Sequence, residues 1–475
     1  MKRAPPRSRP RSWQPKHKKE KMTEPSPLTA TLSEPAAAPP SLAGGMRSGL
    51  RNGVARFRAS HHSRILSGSL IMLMSSAVVA GVNFAYNVYV AQRLGPAEFG
   101  HVATSVSLLL IASALTLSFQ IVCAKFIARS TDASARSAIY RRLRLRAWQV
   151  GGALGVLLLA LSLPLSSFLR FPTPWIMVLM AIGITFYVPL GVKRGIFQGT
   201  CAFPRLAVNF TLEASAKFVL ALVLVARYGA LGAVIAVMLS VIAAYFLPRP
   251  PAEFRTPGTL AEPLSPGEGR QAIVFFVGQV IIMNTDLIMV KHLFPAAEAG
   301  QYAAVALVGR VLFYASWSVI AAMFPVTAGS SRSERANPSL VAIPAALVLA
   351  MFLGCLGVLQ IFPAAVMKTI FGPGFQQAES LLGLYAANTA VYALAVVLMA
   401  YEMSRKVANT GWLQMVFSGL VVAGISLFHH SLRQVITVLL VLMVGLLLAV
   451  ALPFFRSTRR AFVPSSTLPD LQEAA

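Results

Sequence analysis

Two basic residues, Lys217 and Arg310, fall inside long apolar runs, as do the acids Glu213 and Asp286. A charge at that depth in hydrocarbon is costly, so each of the four must meet an opposite charge, water or a ligand. Lys217 lies twelve residues past Arg205, about 18 Å along a helix and near the middle of a bilayer. Glu213, four residues earlier, shares its face. Either the two neutralise each other as structural glue, or Lys217 is a cavity cation held by its neighbour. Arg310 has no charged residue three or four positions away, and Asp286, one connection earlier, is its expected partner. That pair would be structural, or a gate that breaks and re-forms; Asp286 alone would take up a proton or a sodium ion. Asn83 and Asn87 share a face at a depth similar to that of Asp286, where amides commonly join helices, and Gln120, Gln198 and Gln279 carry the same chemistry.

The elements that must place these residues are membrane helices. The 475 residues are 56% hydrophobic and 12% charged, and the mean hydropathy is +0.67; a soluble domain carries about twice that charged fraction. Breaks at charged, Pro or Gly residues leave twelve spans: 66–91, 101–124, 147–168, 174–192, 206–226, 229–248, 271–290, 301–329, 338–362, 379–403, 409–428 and 433–455. Residues 1–65 form a basic tail too rich in Pro, Ala and Ser to bury a core. Within it Leu50, Val54 and Phe57 stand beside Arg47, Arg51 and Arg58, the pattern of an interfacial helix on anionic lipid or of a solvated leader. Residues 456–475 form a second tail.

The net charge of +26 records topology and calls for no nucleic acid. Of 42 Lys and Arg residues, 34 fall in the tails and alternate breaks, six in the other breaks and two inside spans. This bias predicts both termini in the cytoplasm. Arg141, Arg142, Arg144 and Arg146 then form a cytoplasmic rim able to gather an anionic substrate or anionic lipid. The Pro- and Gly-rich break 249–270 reads as a linker between six-span halves, 66–248 and 271–455. The halves echo each other at an offset of 200. Glu98, Gly100 and Ala103 after the first span register with Glu298, Gly300 and Ala303 after the seventh. Both copies lie outside, so the repeat is parallel, a layout in which substrate sits between bundles that rock to alternate access. Glu98 and Glu298 suit the start of the next helix; a direct contact with substrate is the alternative.

The stretch Val90-Ala91-Gln92-Arg93-Leu94-Gly95-Pro96-Ala97-Glu98-Phe99-Gly100 resembles the first outside turn of the Wzx-type oligosaccharide flippases, within the multidrug/oligosaccharidyl-lipid/polysaccharide exporter superfamily. Gly195-Ile196-Phe197-Gln198-Gly199, Asp286 through Gly300, and Phe371-Gly372-Pro373-Gly374-Phe375 resemble the same family in the same order. The resemblance implies an all-α, MATE-like fold of two six-helix bundles in a V. It implies a bacterial inner-membrane protein that moves a polyprenyl-pyrophosphate-linked glycan outward and works beside a polysaccharide polymerase. Lys217 and Arg310 would then meet the pyrophosphate, and Asn83 and Asn87 the sugar hydroxyls. Drug/cation antiporters share the fold and remain the alternative.

Other chemistries lack their residues. No GxxxxGK[ST] loop is present to hold ATP. Adjacent His429 and His430 point to different helix faces, and Cys123, Cys201 and Cys355 make no paired pattern, so no metal, cofactor or disulfide framework is expected. The outside connections lack clustered acids, against a membrane glycosyltransferase or polymerase, so the chain reads as no enzyme.

Overall fold

The computed structural model describes residues 61–254, 270–329, 339–405 and 411–461. Residues 1–60 of the tail with its candidate interfacial helix, most of the linker and the end of the C-terminal tail lie outside the described residues, while 61–65, expected in the tail, are helical. Among the described residues the chain is helical, with no strand.

The first helix, His61–Arg129, is broken at Gly95, whose φ of 72° favours glycine. Pro96, which lacks an N–H that a first helical residue could not use, opens the next segment. The break gives α1 (61–94) and α2 (96–129). Ala133–Ala160 is α3, Ser162–Phe168 the short α4, and Trp175–Gly199 α5. Gly229, with φ 57°, splits Phe203–Phe246 into α6 (203–228) and α7 (230–246). The second half comprises α8 (Arg270–Leu293), α9 (Ala296–Gly329), α10 (Ser339–Ile361), the short α11 (Pro363–Phe371), a 3-10 turn (Pro373–Ala378), α12 (Glu379–Arg405), α13 (Gly411–Leu427) and α14 (Leu432–Ala461). Among the described residues nine helices are long and apolar enough to cross a membrane; two of these are double, and α13 is a shorter apolar helix, which accounts for the twelve spans.

Two expected breaks are helical instead. α3 begins at Ala133 rather than near 147, because Ile139, Tyr140, Leu143 and Ala147 make a buried stripe at helical spacing. Tyr140 packs edge-on against Phe254 at 5.6 Å. The four arginines of the expected rim therefore stand on the exposed face of a helix. α5 likewise runs to Gly199, and Lys193 and Arg194, read from sequence as a cytoplasmic break, are buried inside the N-terminal half.

The described residues from Arg64 onward form one compact unit. In the first half α5 packs on α3 and α6; in the second, α8 packs on α13, and α12 on α9, α10 and α14. The halves meet where the repeated turns stand, here called the turn end. A Cβ on Gly100 would lie 3.0 Å from the Gly300 nitrogen, and one on Gly300 would lie 1.7 Å from the Pro96 oxygen. Glycine at both copies of the repeat thus permits a backbone crossing that no side chain could enter.

Candidate functional site

Lys217 on α6 donates a hydrogen bond to Asn83 Oδ1 on α1 and sits 4.7 Å above the ring of Tyr86. The ring is fully buried, its hydroxyl donating to the Ala233 carbonyl on α7 at 3.3 Å. An amide oxygen and an aromatic face stabilise an ammonium without cancelling its charge. Asn87 shares the face of Asn83, yet its amide donates to the Asn83 backbone carbonyl at 2.7 Å and is thereby tied to its own helix.

The expected Glu213–Lys217 pair is replaced by another. Glu213 accepts from Arg194 of α5 in an ion pair. The same guanidinium donates from Nε to Asn209 Oδ1 at 2.8 Å and lies 4.1 Å over Phe210. Asn209 and Glu213 are one turn apart, so the planar fork of a guanidinium from a neighbouring helix reaches both from different nitrogens. Asn209 donates in turn to the carbonyls of Ala244 and Leu247 at 2.7 and 2.8 Å. Beside it Lys193 donates to the last carbonyls of α7, Ala244 and Tyr245, at 2.9 and 2.7 Å. Sequence spacing found Glu213 but could not find Arg194, whose role depends on how α5 and α6 pack.

The expected Asp286–Arg310 pair is also not formed; among the described residues no ion pair joins the two. Asp286 Oδ2 accepts from the hydroxyls of Tyr302 at 2.7 Å and Tyr385 at 2.9 Å, while its buried Oδ1 has no partner among the described residues. Arg310 turns away and donates from Nη2 to Ser107 on α2 of the other half at 2.9 Å, leaving its buried Nε without a partner among the described residues. Both residues line a cavity that leaves about 30 Å³, room for a water or two, with Tyr385, Asn388, Thr389 and Tyr392. Sequence reading missed the two phenols. Tyr385, Asn388, Thr389 and Tyr392 lie at i, i+3, i+4 and i+7 within an apolar span, and that polar stripe was a detectable signal.

Of the remaining amides, Gln120 on α2 donates to Gln198 on α5 at 3.0 Å, and Gln279 keeps a buried oxygen without a partner among the described residues. Among the rim residues, Arg144 lies 5.2 Å over the ring of Tyr140. Glu98 accepts from the Ala230 nitrogen at 3.2 Å, so it serves the start of α7 as well as standing in the first turn of α2.

Lys217 and Arg310 share a depth. Lys217 is twelve residues from Gly229 and Arg310 fourteen from Ala296, about 18 and 21 Å below the turn end. Above them a seam closes the halves. Gln92 donates to the carbonyls of Thr369 and Ile370 at 3.2 and 2.9 Å. Phe99 packs on Phe371 and Phe375 at 6.2 and 5.9 Å. His292 stacks on Phe168 at 3.7 Å, and Arg170 donates to the Phe294 carbonyl at 3.4 Å.

Solved structures share this architecture. No family model matches the chain, and no curated protein matches it. An inward-facing multidrug resistance MATE family transporter of the MOP superfamily aligns over 80% of this chain and 93% of its own, with TM-score 0.64 and 14% identity. A MOP superfamily transporter from Pyrococcus furiosus, described as having a binding pocket of reversed polarity, aligns over 84% and 95%, with TM-score 0.55 and 15% identity. An outward-facing multidrug MATE transporter gives 84% and 95%, TM-score 0.55 and 14% identity. The protein is a multi-pass membrane protein with the MATE transporter fold. Within that fold, Lys217 and Arg310, one from each half at similar depth, form no ion pair with a carboxylate among the described residues.

Proposed function

We infer that the protein carries a polyprenyl-pyrophosphate-linked oligosaccharide across the bacterial inner membrane by alternating access. The observation that carries this reading is the pair Lys217 and Arg310, mid-depth cations from the two halves, neither ion-paired to a carboxylate among the described residues. A charge held at such depth without a counter-ion is suited to an anionic cargo. With the termini in the cytoplasm, the seam closes the outer side, so this state receives cargo from the cytoplasmic leaflet. The arginines on α3 would gather the anionic head there, beside anionic lipid.

A cationic drug would need an accessible carboxylate, and both intramembrane acids on this path are engaged: Glu213 by Arg194, and Asp286 by two phenols around a cavity of about 30 Å³. Asp286, with one free oxygen, suits a proton or sodium ion that couples transport in either reading. A polymerase that consumes the delivered glycan is the natural partner. Deleting the gene should make the polyprenyl-linked glycan accumulate on the inner leaflet, and Arg310→Ala should fail to relieve it. Unchanged leaflet distribution in the deletion strain would contradict the reading.

A further inference from the structure

Beside the seam, on the flank of the C-terminal half, lies a pocket of about 640 Å³, within the usual range for small-molecule sites. It is built at the turn end from the close of α10, the start of α11, the 3-10 turn and the openings of α12 and α14. Gln360, Gln376, Gln377 and Ser380 line it, together with Glu379 and Arg433. Ser380, Gly383, Leu384 and Ala387 face it from one side of α12, and Tyr385, Asn388, Thr389 and Tyr392 face the Asp286 cavity from another. The two sites are therefore separated by the body of one helix.

The lining is equipped for hydroxyl groups. Gln360, Gln376 and Gln377 are exposed and line the pocket. A carboxamide offers a donor and an acceptor side by side, and a serine hydroxyl does both, which matches the alternating demands of neighbouring sugar hydroxyls. Leu356, Pro363 and Leu384 supply apolar surface for the C–H face of a ring. Gly383 makes room for this arrangement, since a Cβ there would lie 2.5 Å from Gln360 Nε2. The 3-10 turn links pocket and seam directly. Gly374 and Phe375 pack on Pro96 and Phe99 of the other half, and the next two residues, Gln376 and Gln377, line the pocket.

We propose that this pocket is a carbohydrate subsite that holds one or two sugar units of the cargo as the seam opens. It deepens the proposed function and rests on it. The test places p-benzoylphenylalanine at Pro363, or at Arg433 if the first position lowers abundance, in the full-length protein. Glycan-producing cells are irradiated, the adduct is identified by mass spectrometry, and glycan export is measured in the same cells. A sugar-containing adduct is expected, reduced about five-fold by Gln360→Leu and again by Gln376→Leu at unchanged protein abundance, as for loss of one hydrogen bond each. A phospholipid or peptide adduct, or none, overturns the subsite. Export that still depends on the gene would then leave the transport reading standing, whereas export independent of the gene would remove that reading as well.

Discussion

In the N-terminal half the mid-depth charge is a lysine, Lys217, steadied by Asn83 and the face of Tyr86. In the C-terminal half it is Arg310, which reaches Ser107 of the other half, and a carboxylate nearer the turn end, Asp286, is gripped by Tyr302 and Tyr385. Two copies of one six-helix layout thus carry different chemistry. The first half also has an ion pair, Arg194 with Glu213, which engages the acid that shares a helix face with Lys217. The second half keeps its acid and its cation apart in one small cavity. Cargo recognition and ion coupling can then be divided between the halves, with Arg310 standing where the two meet.

Removing the lysine should disturb this division most. Lys217→Ala is expected to lower glycan export about 100-fold in a deletion strain, as for loss of a charge-assisted contact, while Lys217→Arg should retain most of it. Export at the wild-type level in both would place cargo binding elsewhere. Next in size is the junction that both halves share. Gly300→Val puts a side chain where the Pro96 oxygen lies, so the seam cannot close. Export should fall about 30-fold, with reduced cross-linking between cysteines placed at Gln92 and Ile370.

Within the second half, Tyr302→Phe removes one of two donors to Asp286. An approximately ten-fold loss is expected in the ion-driven component of transport, with cargo binding unchanged. An equal loss without an ion gradient would mean that Asp286 has no coupling role. The smallest effect on export should come from Glu213→Gln. Its carboxylate belongs to the Arg194 cluster, so thermal stability should drop while export per folded molecule stays within about two-fold. A large export defect at normal stability would return Glu213 to the cargo path.

Much of the architecture was legible because hydrocarbon imposes it. Apolar runs give the twelve spans, and the offset of 200 marks Gly100 and Gly300 as equivalent. What spacing along one chain could not show is which helices touch. Arg194 looked like part of a cytoplasmic loop because charge usually ends a span; buried partners on α6 let the helix continue past it. Glu213 and Lys217 share a face, yet proximity on one helix lost to a better-shaped donor from the next. Asp286 was found by its depth, and its actual partners, sixteen and ninety-nine residues away, were not, because three helices must converge before either phenol reaches it.

The most direct measurement uses the purified protein in proteoliposomes with a short-chain polyprenyl-pyrophosphate-linked glycan, following its passage to the opposite leaflet and, in parallel, the passage of ethidium. Glycan movement that inorganic pyrophosphate inhibits and Lys217→Ala abolishes, without ethidium transport, is the predicted result. Ethidium transport that depends on Asp286, with the glycan left in its original leaflet, would contradict an anionic cargo and the role given to the two cations.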